Sequence, residues 1–552
     1  MAYLAISTAL LAFLLWRARL YLRLIKTFNY ATTPVLIAPT SLLGALIPTT
    51  WWNPGLGWTW EWRHTNYKSH TLPLAWLVPL LSGTPALYVG SHHTMQSLLL
   101  THEPQMSKAD EMQTAITVWG PNILSTSGSA WRRHRRAVGP AFAAPDTHRL
   151  VVAQTCALYD EMVSALGWRE REEIIVEDMN KIMLKFALTI ICRCGFGIPM
   201  PWSEEGSSYD DEDAEGAMGL PEALERVSES LLLRLALPAW VYRLPVRRLR
   251  RIDTAWRTTR RTLELLVADK RASTIDDGTA ATQADVLTRL VQALDDGEGD
   301  EGVEGAAGEG VKAGGERGKH ALSTDEVIGN AFVLMFAGHE TTARTLAGTF
   351  AHLALHQDAQ DAAVAEIERV LDGGREITLD DVNKLEHVLA CFHETSRIYP
   401  GAMLLSRKAQ VPLDLPLNPG STDTVRVPPG TTLVFDMIGI HHDPAAFPSP
   451  SSFLPSRWLS PSASSPTSSS TPTLTTTSSF GLGPRACVGR RFTQAEAVSL
   501  LATFLREWRV DVVLEPGETR EGWAERVLGR RCDFSLGFGV GRVPVRIERR
   551  VR

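Results

Sequence analysis

The segment Phe480-Gly-Leu-Gly-Pro-Arg-Ala-Cys-Val-Gly489 constrains this chain more than any other. Two glycines ahead of a cysteine allow tight turns and let a flat ligand approach the backbone closely. Cys487 stands where a helical pattern begins, and the N–H groups and dipole of a helix N-terminus favour a thiolate there. A thiolate is an axial haem ligand that pushes electron density toward O–O cleavage. Arg485 is of the right type to pair with a haem propionate through charge-assisted hydrogen bonds. The spacing of Phe480, Gly483, Arg485, Cys487 and Gly489 sets the segment apart from a buried cysteine beside an ordinary glycine-rich turn.

The other cysteines carry no such pattern. Cys156, Cys192, Cys194, Cys391 and Cys532 bring the total to 6 in 552 residues. That is too few for a disulfide scaffold, and no pair is spaced C-x-x-C, which sets aside zinc ribbons and thioredoxin-like sites. Cys192 and Cys194 lie in an apolar stretch and read as buried thiols facing a reducing compartment. A net charge of −6 argues against broad nucleic-acid binding, because that needs a basic surface. A chain 44% hydrophobic and 21% charged is neither disordered nor a multi-span membrane protein. The prior of roughly 150 residues per domain suggests three or four domains, a count that one large fold would break.

Met1 to Trp16 carries no charged side chain, and Arg17, Arg19, Arg23 and Lys26 follow. A bilayer span takes about 20 apolar residues; Leu20, Tyr21 and Leu22 can extend this one while the arginines snorkel. With basic residues after the apolar run, it reads as an uncleaved anchor with its basic end in the cytosol. Residues 1–25 are therefore expected to be a transmembrane anchor. Residues 26–70 are expected to be a proline- and tryptophan-rich membrane-proximal linker, with Trp51, Trp52, Trp58 and Trp60 at the headgroup level. Residues 71–552 form the remaining body. Within it, Leu74 to Val89 reads as two short strands around Ser82-Gly83, and Leu150 to Gly195 as helical. Ser323-Thr-Asp-Glu326 is a capping box that opens a long apolar helix from Asp325 to about His356. Segments 203–219, 295–320 and 460–479 read as flexible insertions.

The segment at Cys487 matches F-x-x-G-x-R-x-C-x-G, and from about Leu74 onward the chain resembles a cytochrome P-450 of the membrane-bound, fungal-like type. The resemblance implies a mainly α fold with a minor β-sheet region: a single haem domain behind an N-terminal membrane anchor. It implies haem b, with Cys487 as the iron ligand and Phe480, Gly483, Arg485 and Gly489 around the cofactor. Trp131 and Arg135, in W-x-x-x-R, and Arg407 would add propionate contacts. Glu394 and Arg397 lie on one helix face at a spacing that forms an ion pair. The resemblance joins Arg457 to them in a structural role, with Ser456 where the family often has glutamate. Ala337-Gly-His-Glu-Thr-Thr342 resembles the oxygen-activation segment. There Thr341 would hydrogen-bond bound oxygen or a water, and Glu340 would relay protons, a role that needs solvent contact. The local alternative for Thr341 is back-bonding to the Ala337 carbonyl. Ala343 stands where H-E-x-x-H would need histidine, so zinc hydrolysis is set aside.

By the same analogy Ile116, Phe332, Phe336, Ala337, Met403, Leu404 and Phe538 line a pocket for a lipophilic molecule. Arg132, Arg133, Arg136, Arg490 and Arg491 suit an acidic electron donor. The implied activity is a monooxygenase that inserts one atom of O2 into a lipophilic small molecule, such as a secondary-metabolite, terpenoid or lipid intermediate. NADPH would supply electrons through a separate NADPH–cytochrome P-450 reductase. The implied location is the endoplasmic reticulum membrane, single-pass, with the catalytic domain facing the cytosol. Two other readings stay open: a reductase-independent haem-thiolate isomerase or dehydratase, and a non-catalytic haem-binding protein.

Overall fold

A computed structural model describes residues 2–27, 32–67, 73–109, 117–202, 218–276, 285–298, 321–416, 424–459, 478–529 and 537–550. Ile116 and most of the three expected insertions lie outside them. The helices that frame the site are α1 (Ala2–Thr27), α2 (Gly128–Ala143), α3 (Pro145–Ala165), α4 (Met179–Ile190), α5 (Leu220–Ala236), α6 (Arg247–Asp276), α7 (Thr324–Leu355), α8 (Glu386–Ile398) and α9 (Arg490–Glu507).

The centre of the molecule is α7. Its start obeys the sequence: Ser323 Oγ accepts the Glu326 N–H while the Glu326 carboxylate accepts the Ser323 N–H, which satisfies two helix-end donors. Its apolar residues face neighbours on nearly every side, because α4, α8 and α9 all pack on it. One continuous apolar core runs from Trp60 to Ile547, so the length prior of several domains gives way to one body.

The main sheet has the order β1-β2-β3-β9-β6-β4. Its strands are β1 (Thr32–Ile37), β2 (Leu74–Ser82), β3 (Ala86–Val89), β4 (Met106–Ser107), β6 (Leu404–Ala409) and β9 (Thr432–Asp436). The expected pair around Ser82-Gly83 is β2 and β3, which run antiparallel. A small second sheet joins β5 (Glu173–Val176), β10 (Trp508–Val512) and β11 (Val545–Arg549). The strand β5 interrupts the stretch read as helical from Leu150 to Gly195; its residues alternate exposed and buried, a period of two that helical periodicity on both sides obscures.

One expectation for the N-terminus needs correction. The linker is part of the fold: β1 pairs in parallel with β2, and the Tyr67 hydroxyl donates to Asp436 Oδ2 at 3.0 Å. Trp58 and Trp60 are 4% and 3% exposed, whereas Trp51 is 91% exposed. The indoles were read from composition alone, which cannot separate a core tryptophan from an interfacial one. Among the described residues no helix is long and apolar enough to cross a membrane. The Arg17 side chain does not snorkel; it donates to the carbonyls of Leu80 (2.9 Å), Pro79 and Gly83 and ties α1 to the end of β2.

Candidate active site

The cysteine loop closes on itself. The Cys487 N–H donates to the Phe480 carbonyl at 2.8 Å. Gly483 has φ +69°, and a Cβ there would lie 2.4 Å from the Leu99 carbonyl oxygen, so only glycine fits. Gly489 is less constrained: a Cβ would meet Phe142 and Cys487 Sγ at 3.9 and 4.0 Å. Just beyond, α9 begins. Cys192, Cys194 and Cys391 are buried and Cys156 half-buried, but Cys487 is exposed to solvent although protein atoms crowd around it. Burial in the fold pushes its thiol up; the Gly489 and Arg490 N–H groups and the Arg135 and Arg490 guanidiniums oppose that. In the protein alone desolvation outweighs the helix terminus, whereas a coordinated metal deprotonates such a thiol outright.

The burial of α7 breaks near its middle. Nearly every residue from Glu326 to Phe336 is buried, then Ala337 is exposed and Gly338 and Thr341 are half-buried. The Thr341 hydroxyl donates to the Ala337 carbonyl at 2.9 Å, which spends its proton and leaves its lone pairs free to accept. Thr342 Oγ1 lies 3.3 Å from Thr493 Oγ1 and ties this turn to the first turn of α9, close behind Cys487. Glu340 differs from expectation. It is 2% exposed, and its carboxylate is bound by Arg344 Nη2 at 3.0 Å and by the Gly537 N–H at 3.3 Å. The solvent contact expected of a relay is absent, because the side chain turns to Arg344 and the Gly537 backbone.

Beside the loop lies a cluster of cations. Arg485 Nε donates to Glu103 at 2.5 Å and Nη1 to the Thr126 carbonyl at 2.9 Å, with its guanidinium 4.7 Å from the Trp131 ring. Arg135 Nη1 donates to the Ala486 carbonyl at 3.1 Å. Arg407, delivered by β6, is 5% exposed; burial, then the Arg485 charge, pushes its guanidinium down to about 10. Its Nε is buried with no partner among the described residues. Lys108 joins them, pushed well below its ordinary range by burial, then by Arg407 and Arg485. Among the described residues, Lys108, Arg407 and Arg485 share the single carboxylate of Glu103, a costly arrangement that anionic groups of a bound molecule would complete. The orphaned Arg407 Nε and the excess of charge fit the two carboxylates of a haem. Lys108 was missed in the sequence because a lone lysine carries no pattern.

Glu394, Arg397 and Arg457 meet behind the loop. Arg397 forks onto both Glu394 oxygens at 2.9 and 3.0 Å, and Arg457 Nε adds 3.1 Å. Trp458 Nε1 and the Leu454 N–H also donate to Glu394, and Arg397 reaches the carbonyls of His441, Pro450 and Ser452. His441 Nε2 in turn lies 2.9 Å from Ser478 Oγ, at the entry to the cysteine loop.

Of the expected pocket residues, Ala337 is exposed and Met403 and Leu404 are half-buried. Phe332 and Phe336 are buried in an aromatic wall with Trp119 of the loop before α2 and Trp256 of α6. Trp256 carries no sequence signal of its own; its ring meets Phe332 only through the fold. Phe538 is a correction: it is 2% exposed and packs on Trp60 and Tyr399 as core rather than as open wall. Arg133 is likewise engaged, paired with Glu326, which takes it out of the expected docking face.

The family model described as cytochrome P-450 matches residues 76–528. This chain belongs to the cytochrome P-450 family. A cytochrome P-450 monooxygenase of Postia placenta is 30% identical over 86% of this chain and 86% of its own length. The cyclooctat-9-en-7-ol 5-monooxygenase of Streptomyces melanosporofaciens is 26% identical over 84% and 89%. The crystal structure of the cytochrome P-450DA haem domain superposes with a TM-score of 0.67 at 18% identity, over 94% of this chain and 99% of that one, and shows the same fold. As a member of the cytochrome P-450 family the chain is a haem-thiolate monooxygenase, which uses O2 and an organic substrate.

Proposed function

We propose that this cytochrome P-450 inserts one oxygen atom of O2 into a lipophilic small molecule of the terpenoid or secondary-metabolite class. Cys487 is the iron ligand, and NADPH supplies electrons through a separate reductase. The observation that carries the reading is the break in the burial of α7 at Ala337, Gly338 and Thr341, on the turn that Thr342 ties to Thr493 in the helix just after Cys487. The haem, when bound, supplies the redox chemistry that activates dioxygen. The protein's residues do the rest. Trp131, Arg135, Arg407, Arg485 and Lys108 hold the acidic edge of the cofactor, and Glu394, Arg397 and Arg457 hold the loop that carries the cysteine. Thr341 accepts a hydrogen bond from a bound molecule. Half-buried Met403 and Leu404 and the aromatic wall at Trp119 favour an apolar skeleton. The terpenoid class is supported by the likeness to the cyclooctat-9-en-7-ol 5-monooxygenase. Arg132 and Arg491, both exposed, suit an acidic electron donor.

The test is spectral and chemical. Reduced protein under carbon monoxide is expected to show the red-shifted band of thiolate-bound haem, and Cys487→Ala to abolish it. Turnover of a panel of terpenoid and other lipophilic precursors is expected to require both NADPH and the reductase. A histidine-type spectrum, or product formed without NADPH, sinks the reading; the second outcome favours an isomerase or dehydratase.

The same proposal places the protein at the endoplasmic reticulum membrane, haem domain toward the cytosol. Its support is the exposed apolar surface of α1 at Leu10, Leu11, Leu14, Leu15 and Trp16, together with Trp51, Trp52 and Trp240. Deletion of residues 2–27 is expected to move the chain from the membrane fraction toward the soluble one with the carbon-monoxide band intact. An unchanged distribution rejects α1 as the membrane contact.

A further inference from the structure

Both oxygens of the Glu340 carboxylate are in use. Oε1 accepts from Arg344 Nε at 3.2 Å and Nη2 at 3.0 Å, and Oε2 accepts from the Gly537 N–H at 3.3 Å. The backbone lies directly on this pair. A Cβ at Gly537 would fall 2.9 Å from Glu340 Cγ and 3.0 Å from Cδ, and one at Gly539 would fall 2.7 Å from Arg344 Cβ. Between the two glycines the Phe538 ring packs instead on Trp60 and Tyr399, and its N–H donates to the Gly401 carbonyl at 3.0 Å. Gly401 lies against Thr341: a Cβ there would fall 3.2 Å from Thr341 Cβ. One carboxylate therefore fastens α7 to the Gly537–Gly539 backbone, and that backbone fastens the turn that leads from Gly401 to the half-buried Met403 and Leu404.

We propose that Glu340 is a positioning residue, a latch that with Arg344 sets how far the Gly401–Leu404 wall stands from Thr341 and so the width of the substrate site. A proton relay needs contact with water, and Glu340 is 2% exposed; a latch needs both oxygens bound and glycine on the facing backbone segment, which is the arrangement here. The inference rests on the monooxygenase reading only for what fills the site.

Three measurements on the purified haem-loaded protein test it. First, hydrogen–deuterium exchange of the Gly537–Gly539 amides is expected to rise about tenfold in Glu340→Ala and in Gly539→Ala, since either change frees the segment to open locally. Second, spectral titration with a small and a bulky phenyl-substituted imidazole is expected to show the preference for the small one falling several-fold in both variants. Third, Glu340→Gln keeps an acceptor for the Gly537 N–H, so the pH profile and solvent isotope effect of turnover are expected to match the native shape. Where Glu340→Ala fails to fold, Gly539→Ala and Glu340→Gln carry the test. Native exchange and selectivity in Gly539→Ala, or an altered isotope effect in Glu340→Gln, overturn the latch and restore the relay. The exchange arm needs no turnover, so a wrong reading of the reaction would leave its result standing.

Discussion

Lys108 shows how one residue can be costly in the free protein and useful in the loaded one. It shares its surroundings with Arg407 and Arg485, and burial already holds its ammonium well below the ordinary lysine range. In haem-free protein, Lys108→Met removes a desolvated, repelled cation and is expected to raise stability by roughly 1–3 kcal/mol, read as a higher unfolding temperature. In haem-loaded protein the same change removes a charged partner of the cofactor, a hydrogen bond of about 1.5–3 kcal/mol, and is expected to speed haem transfer to apomyoglobin at least tenfold. Opposite signs in the two forms are the signature; the same sign in both would remove Lys108 from the cofactor site. No sequence pattern marks this residue. Arg485 and Cys487 were legible because their chemistry is written in local spacing, whereas Lys108 acquires its role only when β4 and β6 pair.

At the scale of elements, the loop between β4 and α2 is stapled to α7. Asn330 is wholly buried. Its Oδ1 accepts the Ile123 N–H at 2.9 Å, and its Nδ2 donates to the Glu326 carbonyl and to His134 Nδ1, each at 2.7 Å. The Trp119 ring adds an edge contact on Phe332 at 4.3 Å. At its far end the loop offers the Thr126 carbonyl to Arg485. The aromatic wall and the cation cluster are thus linked through one backbone segment. Asn330→Ala leaves the Ile123 N–H buried without an acceptor and is expected to cost roughly 1–3 kcal/mol, measurable as a lower thermal midpoint; an unchanged midpoint would show that the loop carries itself. Element starts and ends with a local chemical cause were legible. The Ser323 box placed the start of α7 to within a residue. Elements whose cause is a distant partner were not. The strand β1 exists because β2 lies beside it, and Thr32–Ile37 carries no alternation that announces a strand.

Over the whole molecule, the sequence announced the family through the cysteine segment and misplaced the linker tryptophans Trp58 and Trp60. Hydropathy reads the run to Trp16 as a span, yet Arg17 is spent on strand carbonyls and Trp58 and Trp60 on the core. Those outcomes depend on residues distant in the chain: Arg17 reaches the Leu80 carbonyl, and Trp60 Nε1 donates to the Gly529 carbonyl at 3.2 Å. The node at Glu394 works at this scale too. Arg457 and Trp458 are held to Glu394, and Ser478 is held to His441, whose carbonyl takes Arg397. Both ends of the serine- and threonine-rich tract are therefore fixed by the same fold, independently of what lies between them. Closing a chain between fixed posts costs free energy that grows only with the logarithm of its length. The free energy of joining Leu459 to Ser478 therefore depends only weakly on how many residues do it, which makes this a seam where a tag or another module could be spliced at little cost to the cysteine loop.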